Sequence, residues 1–132
     1  MESCTGATER HRESYDDEQN SDFEQSLYWE DFELVGLVSG SNFTINQCMY
    51  NPKTRLVVIK AFWNGNGAPG GTAFARVPQK YKPNKTFFGV LHRINNDVES
   101  RTNMVVINSE GDIMQYASGN ATSIEFSIIY HV

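Results

Sequence analysis

The segment Val77–Pro83 (VPQKYKP) carries two prolines five residues apart, and it restricts the fold more than any other feature of the chain. Proline has no backbone N–H and a fixed φ, so neither Pro78 nor Pro83 fits inside a helix or a central strand. Aromatic, strand-like runs lie on both sides of the segment. We therefore predict an extended, ordered crossing between strands, held in place by Tyr81.

Strand-like runs separated by turn residues fill the chain from Phe32 onward. They recur at roughly 8–12-residue spacing with no convincing helix, which is typical of an antiparallel sandwich or barrel. Asn64–Gly71 holds four glycines and is predicted to be a loop. The predicted fold is all-β, an antiparallel β-sandwich of about eight strands. These strands are Phe32–Leu37, Phe43–Tyr50, Arg55–Trp63, Thr72–Val77, Thr86–Ile94, Thr102–Asn108, Ile113–Ala117 and Ser123–Val132.

Charge divides the chain into two parts of opposite sign. Residues 1–33 hold eleven acidic residues and two arginines, whereas residues 34–132 hold nine basic and five acidic residues. Residues 1–27 have few large apolar side chains, so we predict a disordered or weakly helical acidic arm there and one domain at 28–132. Such an arm can solvate itself, screen the basic body or dock onto a basic partner.

The cysteines and the apolar runs bear on where the protein is made. Cys4 and Cys48 are predicted to be unpaired thiols of a protein made in a reducing cytoplasm. No apolar run approaches the roughly 18 residues of a membrane span, and the first residues lack the basic and apolar regions of a signal peptide. We expect no membrane insertion. A role outside the cell would follow lysis or assembly rather than secretion.

The sequence offers little that is typical of catalysis. It has no metal-ligand spacing of histidine and cysteine and no nucleophile motif, so we expect neither a metal nor another cofactor. Asp97 and Glu99 are the pair that a glycoside hydrolase would use, or that a calcium site would use with Asn95 and Asn96. Surface loops commonly carry such pairs, so we expect no enzyme. The bases of the body are scattered and lack an aromatic–basic motif, which argues against nucleic acid as a partner.

Binding remains, and two groups of residues are candidates for it. Trp63 beside Asn64 and Asn66 offers an aromatic platform with amide donors and acceptors, a combination suited to carbohydrate. The alternative interpretation is that Trp63 ends a core strand. The second candidate group is polar and consists of His92, Arg93 and Asp97.

The run Arg55–Trp63 is apolar on both of its faces, although a sandwich strand needs only one buried face. Phe87-Phe88 and Val105–Ile107 have the same surplus of apolar residues. A second apolar face indicates either a covered central strand or a contact between subunits. We expect an interface between subunits.

Four segments occur in an order that resembles a known family. Met49–Ile59 forms a strand pair around a turn, and Ala75–Pro83, Val106–Ile113 and Phe126–Tyr130 follow in that order. This pattern, over about residues 28–132, resembles the C-terminal head domain of tailed-bacteriophage receptor-binding and tail-fibre proteins. The main departure is Lys80, which stands where that family usually has glycine.

The resemblance implies a homotrimeric β-sandwich of jelly-roll or tumour-necrosis-factor-like type at the tail tip of a virion. Such a head attaches the virion to a host surface saccharide and contacts other tail or baseplate proteins, and the resemblance carries over no binding residue. We therefore expect a non-enzymatic adhesion module. One alternative is a structural virion or baseplate component that docks through its acidic arm and has no ligand of its own. Another is a glycan depolymerase that uses Asp97 and Glu99.

Overall fold

The computed structural model describes residues 28–95, 98–116 and 120–132, together with two short strands of the acidic arm. Those two strands, Ser3–Cys4 (β1) and Ala7–Thr8 (β2), pair in parallel. The rest of the predicted disordered or weakly helical arm lies outside the described residues. The strands of the body are Glu30–Phe32 (β3), Val35–Gly36 (β4), Asn42–Asn51 (β5), Leu56–Pro69 (β6), Ala73–Arg76 (β7), Phe87–Asn95 (β8), Val98–Ile107 (β9), Asp112–Tyr116 (β10) and Asn120–His131 (β11).

All nine strands of the body belong to one antiparallel sheet, in the order β3-β5-β6-β11-β8-β9-β10-β7-β4. The two edge strands, β3 and β4, are consecutive in the chain and are joined by Glu33 and Leu34 alone. A link of that length spans at most about 10 Å, so the two edges of the sheet must meet. The sheet is therefore curled, and the all-β prediction is confirmed. The jelly-roll or tumour-necrosis-factor-like subtype stays a prediction.

Asn46 of β5 joins the two edges of the sheet through its side chain. Its Oδ1 accepts a hydrogen bond from the Leu34 backbone N–H at 2.9 Å, and its Nδ2 donates to the Leu34 carbonyl at 3.2 Å. The amide thus satisfies both backbone groups of a buried residue where the ladder of strands is interrupted. The link at Glu33 and Leu34 closes the sheet, and the Asn46 side chain completes the hydrogen bonding at the joint.

The interior of the curled sheet is filled by aromatic and aliphatic side chains. Phe74 of β7 lies 5.3 Å from Trp63 and 5.5 Å from Phe126, measured between ring centroids. Strand β7 is not hydrogen-bonded to β6 or β11, so these contacts cross the interior. The last strand alternates apolar with mostly polar residues in sequence, and the structure buries the apolar face. The buried residues of that face are Ile124, Phe126, Ile128 and Tyr130.

The proline-flanked crossing closes one end of the sheet. It contains a single 3₁₀ turn, Gln79–Tyr81, between extended residues, so the predicted extended path is interrupted by three residues. The ring of Tyr81 stacks on Phe32 at 4.1 Å, and its carbonyl accepts a 2.6 Å hydrogen bond from the Tyr130 hydroxyl. Tyr81 therefore pins the crossing, as predicted.

No helix among the described residues is long and apolar enough to cross a membrane.

The prediction of a loop over Asn64–Gly71 is wrong for most of that segment. Strand β6 continues to Pro69, because its second half pairs with the start of β11 at Ala68↔Ala121 and Pro69↔Asn120. Burial of Ala68 favours this pairing over the low strand preference of glycine. Long-range pairing has overridden the local sequence.

The single strand predicted at Phe32–Leu37 is also wrong, because the structure divides it into β3 and β4 at opposite edges of the sheet. A tight turn lies at Ser109–Asp112, where Gly111 has a φ of 87°. The turn predicted within Met49–Ile59 lies between β5 and β6, with Pro52 as its second residue.

The strand register divides the body into two ends. One holds the turn after Asn51, the crossing at residues 78–86 and the turn at 108–111, and the acidic arm joins it next to β3. We call it the arm end. The opposite loop end holds the loop at residues 37–41 and the second half of β6, which pairs with the start of β5 and of β11.

Changing Asn46→Ala is expected to lower the free energy of unfolding by about 1–3 kcal/mol, because it leaves both backbone groups of Leu34 without their partner. Urea denaturation followed by tryptophan fluorescence measures the loss. The matched control is Gln47→Ala, the next residue on the same strand and exposed. Equal midpoints for the two variants would show that the Asn46 hydrogen bonds do not stabilise the closed sheet.

Candidate functional site

Trp63 does not offer a platform to a ligand. Its side chain is 0% exposed, and its indole N–H donates a 3.1 Å hydrogen bond to the Ser41 hydroxyl. The ring packs against Phe74 in the core. The structure thus agrees with the alternative interpretation, in which Trp63 belongs to a core strand. Its indirect contribution is to hold Ser41, and with it the loop at residues 37–41.

Asn64 ties three strands together at the loop end. Its Nδ2 donates to the Thr44 hydroxyl of β5 at 2.8 Å, and its Oδ1 accepts from the Ser123 hydroxyl of β11 at 2.8 Å. Both polar atoms of the amide are therefore used within the sheet. Asn64 lies at the predicted site, but it acts there as a cross-strand brace.

Asn66 is exposed and fixes the neighbouring loop. Its Nδ2 donates a 3.1 Å hydrogen bond to the Ser39 carbonyl. Gly40, the next residue of that loop, has a φ of 81°, and a Cβ there would approach the Asn66 Nδ2 to 2.7 Å. The positive φ favours glycine at position 40, and a larger residue there would displace the Asn66 amide. The Asn66 hydrogen bond thus holds the loop beside β6.

A polar cleft of about 500 Å³ lies between this loop and strand β5. The polar side chains that reach it include Glu33, Ser41, Asn42 and Asn46, and Phe43 adds a half-buried aromatic ring. Sequence reasoning missed this set because its members come from three separate elements. The one available signal is the polar run Ser39–Asn42, which follows the predicted strand Phe32–Leu37.

His92 and Arg93 do not form one site, because consecutive strand residues point to opposite faces of a sheet. Arg93 is buried, and its guanidinium donates to the Gln115 Oε1 at 3.3 Å. The Gln115 amide in turn donates to the Ala68 carbonyl, so this chain of contacts links β8, β10 and β6 across the interior. Arg93 has a structural place in the fold.

His92 faces outward, on the exposed side of the sheet. It pairs across strands with Glu125 and lines a shallow, largely apolar depression of about 360 Å³ together with Lys60 and Val90. Asp97, the last candidate, lies outside the described residues. Asn64 and Asn66 thus brace the loop end, whereas His92 lines the depression on the outer face.

Reactive groups are scarce in the described part of the body. No cluster of three histidine, cysteine or acidic side chains there is placed to hold a metal ion. Cys48 is a buried free thiol, and burial raises its pKa to about 12, so it stays protonated at neutral pH. The hydrolase and calcium alternatives rest on Asp97, outside the described residues, and stay open.

No protein-family model matches the sequence, and no curated protein is significantly similar to it. Among solved structures, the chain is similar to the crystal structure of the receptor binding protein (gp15) of Listeria phage PSA. The TM-score is 0.61 at 13% identity, over 95% of this chain and 79% of that chain. Its fold is similar to that of a phage receptor-binding protein. At this identity the likeness concerns the fold.

The burial of Trp63 has a measurable consequence. In a Trp29→Phe variant, Trp63 is the sole tryptophan, and we expect blue-shifted emission that iodide quenches weakly and that added saccharide leaves unchanged, because the core shields the indole. The matched control is Trp63→Phe, which retains the half-buried Trp29 and should be quenched more strongly. Equal quenching of the two tryptophans would contradict the core position.

Proposed function

We propose that this chain is a receptor-binding head of a tailed-phage virion, and that it recognises a carbohydrate of the host cell surface without enzymatic action. The observation that carries the proposal is the position of the polar cleft. It lies towards the loop end, and the acidic arm joins the opposite end. On a fold similar to that of a phage receptor-binding protein, this arrangement leaves the cleft free when the arm end faces other tail or baseplate proteins.

The chemistry of the cleft supports carbohydrate as the ligand class. Sugar hydroxyls both donate and accept hydrogen bonds, and the cleft presents an amide at Asn42 and a carboxylate at Glu33. The partly exposed ring of Phe43 adds an apolar surface for the face of a sugar ring. The cleft is open and shallow, so each contact is weak. Several copies bound to a repetitive surface polymer would supply the affinity.

The outer face of the sheet supports the proposed homotrimer. Three large apolar side chains, Val90, Tyr116 and Ile129, are 64%, 62% and 61% exposed in the isolated chain. Cross-strand pairs put Val90 beside Met104 and Met104 beside Tyr116, and Phe88 contacts Tyr116 edge-on at 5.8 Å. A contiguous apolar face of this kind usually marks a contact between proteins. We assign it to the subunit interface.

Changing Asn42→Ala is expected to weaken adhesion of the labelled protein to host cells about three- to tenfold, through loss of one ligand hydrogen bond. Binding isotherms on intact cells and on arrays of bacterial envelope glycans measure the effect. The matched control, Asn84→Ala, changes an exposed asparagine at the arm end. If both variants bind as the parent does, the cleft is not the site. If the parent itself binds neither cells nor glycans, the proposed function fails.

The proposed trimer predicts a particle three times the 14.9 kDa mass of the chain in sedimentation equilibrium. Changing both Val90→Glu and Ile129→Glu should dissociate it, because the interface would have to bury unpaired carboxylates. Val35→Glu is the matched control, since Val35 is also exposed but lies on the edge strand β4. A parent protein that sediments as a monomer would exclude the trimer.

A further inference from the structure

Four exposed bases are grouped at the arm end. Lys53 and Arg55 belong to the turn between β5 and β6, whereas Lys82 and Lys85 belong to the proline-flanked crossing. The end of β11 lies between the two segments. The backbone N–H of Val132 donates to the Arg55 carbonyl at 2.9 Å, and two residues earlier the Tyr130 hydroxyl donates to the Tyr81 carbonyl at 2.6 Å.

These four bases have no acidic partner among the described residues. Lys53 and Lys85 lie over the rings of Tyr28 and Phe87, at 4.6 and 5.6 Å from the centroids. The remaining bases of this end are occupied: Arg76 pairs with Asp112 at 2.5 Å, and Lys80 pairs with Glu30 at 3.1 Å. Glu110 on the nearby turn and Asp31 of β3 are exposed, so two carboxylates lie at this end with the four bases. The described part of the arm end therefore has an excess of positive charge.

The acidic arm joins the body at the same end. Tyr28, the first residue after the arm, lies under Lys53, and Glu30 follows two positions later. The Glu30 carboxylate accepts hydrogen bonds from the Lys80 ammonium at 3.1 Å and from the Tyr81 hydroxyl at 3.2 Å. The Lys80 contact holds the pKa of Glu30 below its usual value. The acidic stretch of the sequence is thus already bound to this end where the structure describes it.

We propose that the acidic arm, residues 1–27, docks onto the four exposed bases at the arm end of its own chain. The arm holds eight acidic residues and two arginines, so the charges are complementary. Fully extended it spans about 90 Å, which is more than enough to reach every base of this end. The covalent connection keeps it at an effective concentration of about a millimolar, higher than that of a free partner.

The docked arm gives the basic surface a defined occupant. The docked arm covers the bases until a partner that binds them more tightly displaces it. While it is docked, the arm prevents polyanions such as nucleic acid from binding to the body. This inference goes beyond receptor binding and holds whatever ligand the cleft takes.

Zero-length carbodiimide cross-linking of the full chain tests the docking directly. We use the Val90→Glu/Ile129→Glu background, because the proposed trimer would otherwise cover Lys60 on the outer sheet face. There we expect cross-linked peptides that join carboxylates of residues 1–27 to Lys53, Lys82 or Lys85, and few to Lys60. Refolding a mixture of isotopically light and heavy chains distinguishes the source of the arm. Products within one chain support the proposal, whereas a statistical mixture of light and heavy peptides would assign the site to the arm of a second copy and overturn it.

Acetylation rates provide a measurement that does not depend on cross-linking geometry. Converting the five acids at positions 16–24 to amides should raise the acetylation rates of Lys53, Lys82 and Lys85 several-fold and leave Lys60 unchanged. About 1 M sodium chloride should have the same effect on the parent protein, because the Debye length falls to about 3 Å. The matched control is Glu125→Gln on the outer face, which should change none of the three rates. Equal rates in the parent, the arm variant and high salt would refute the docked arm.

Discussion

Closure of the sheet at Leu34 is the constraint on which the other features of the body depend. Because β3 and β4 are neighbours in the chain and occupy opposite edges of the sheet, the nine strands curl around one interior. The Asn46 amide completes the hydrogen bonding at the joint, so neither edge there presents an open ladder to a neighbouring molecule. Aromatic contacts across the interior, such as Phe74 with Phe126, follow from the same closure.

The curled sheet has two ends, and different kinds of residues lie at each of them. The proline-flanked crossing covers the arm end, where Tyr81 packs on Phe32 and carries the Tyr130 hydrogen bond. At the loop end, amide and hydroxyl side chains such as Asn64 and Asn66 brace the strands and hold a loop beside an open cleft. Exposed basic residues are thus concentrated where the acidic arm joins the body, and amide and hydroxyl groups with the Glu33 carboxylate line the cleft where a saccharide is proposed to bind.

Local patterns predicted the parts of the fold that depend on local physics. Alternation gave the buried face of the last strand, and turn residues such as Gly111 gave the connections. Long-range pairing decided the rest. Ala68 and Pro69 lie in a strand because β11 pairs with them, and no local signal in the glycine-rich run reveals that partner. Nothing in the sequence indicates that β3 and β4 lie at opposite edges of the sheet, because only the closure of the sheet requires that arrangement.

Trp63 and Arg93 show why residue type alone does not reveal whether a side chain reaches the surface. A tryptophan buries about 150–250 Å² and so gains about 4–6 kcal/mol at 25 cal/mol/Å², which is more than a shallow contact with one sugar supplies. An inward position on a strand therefore takes Trp63 into the core. Arg93 likewise points inward, where its guanidinium donates a hydrogen bond to the Gln115 side chain. The side chains left for a ligand, Glu33 and Asn42, come from separate elements, and the same closure that removes Trp63 from the surface brings those two to one cleft.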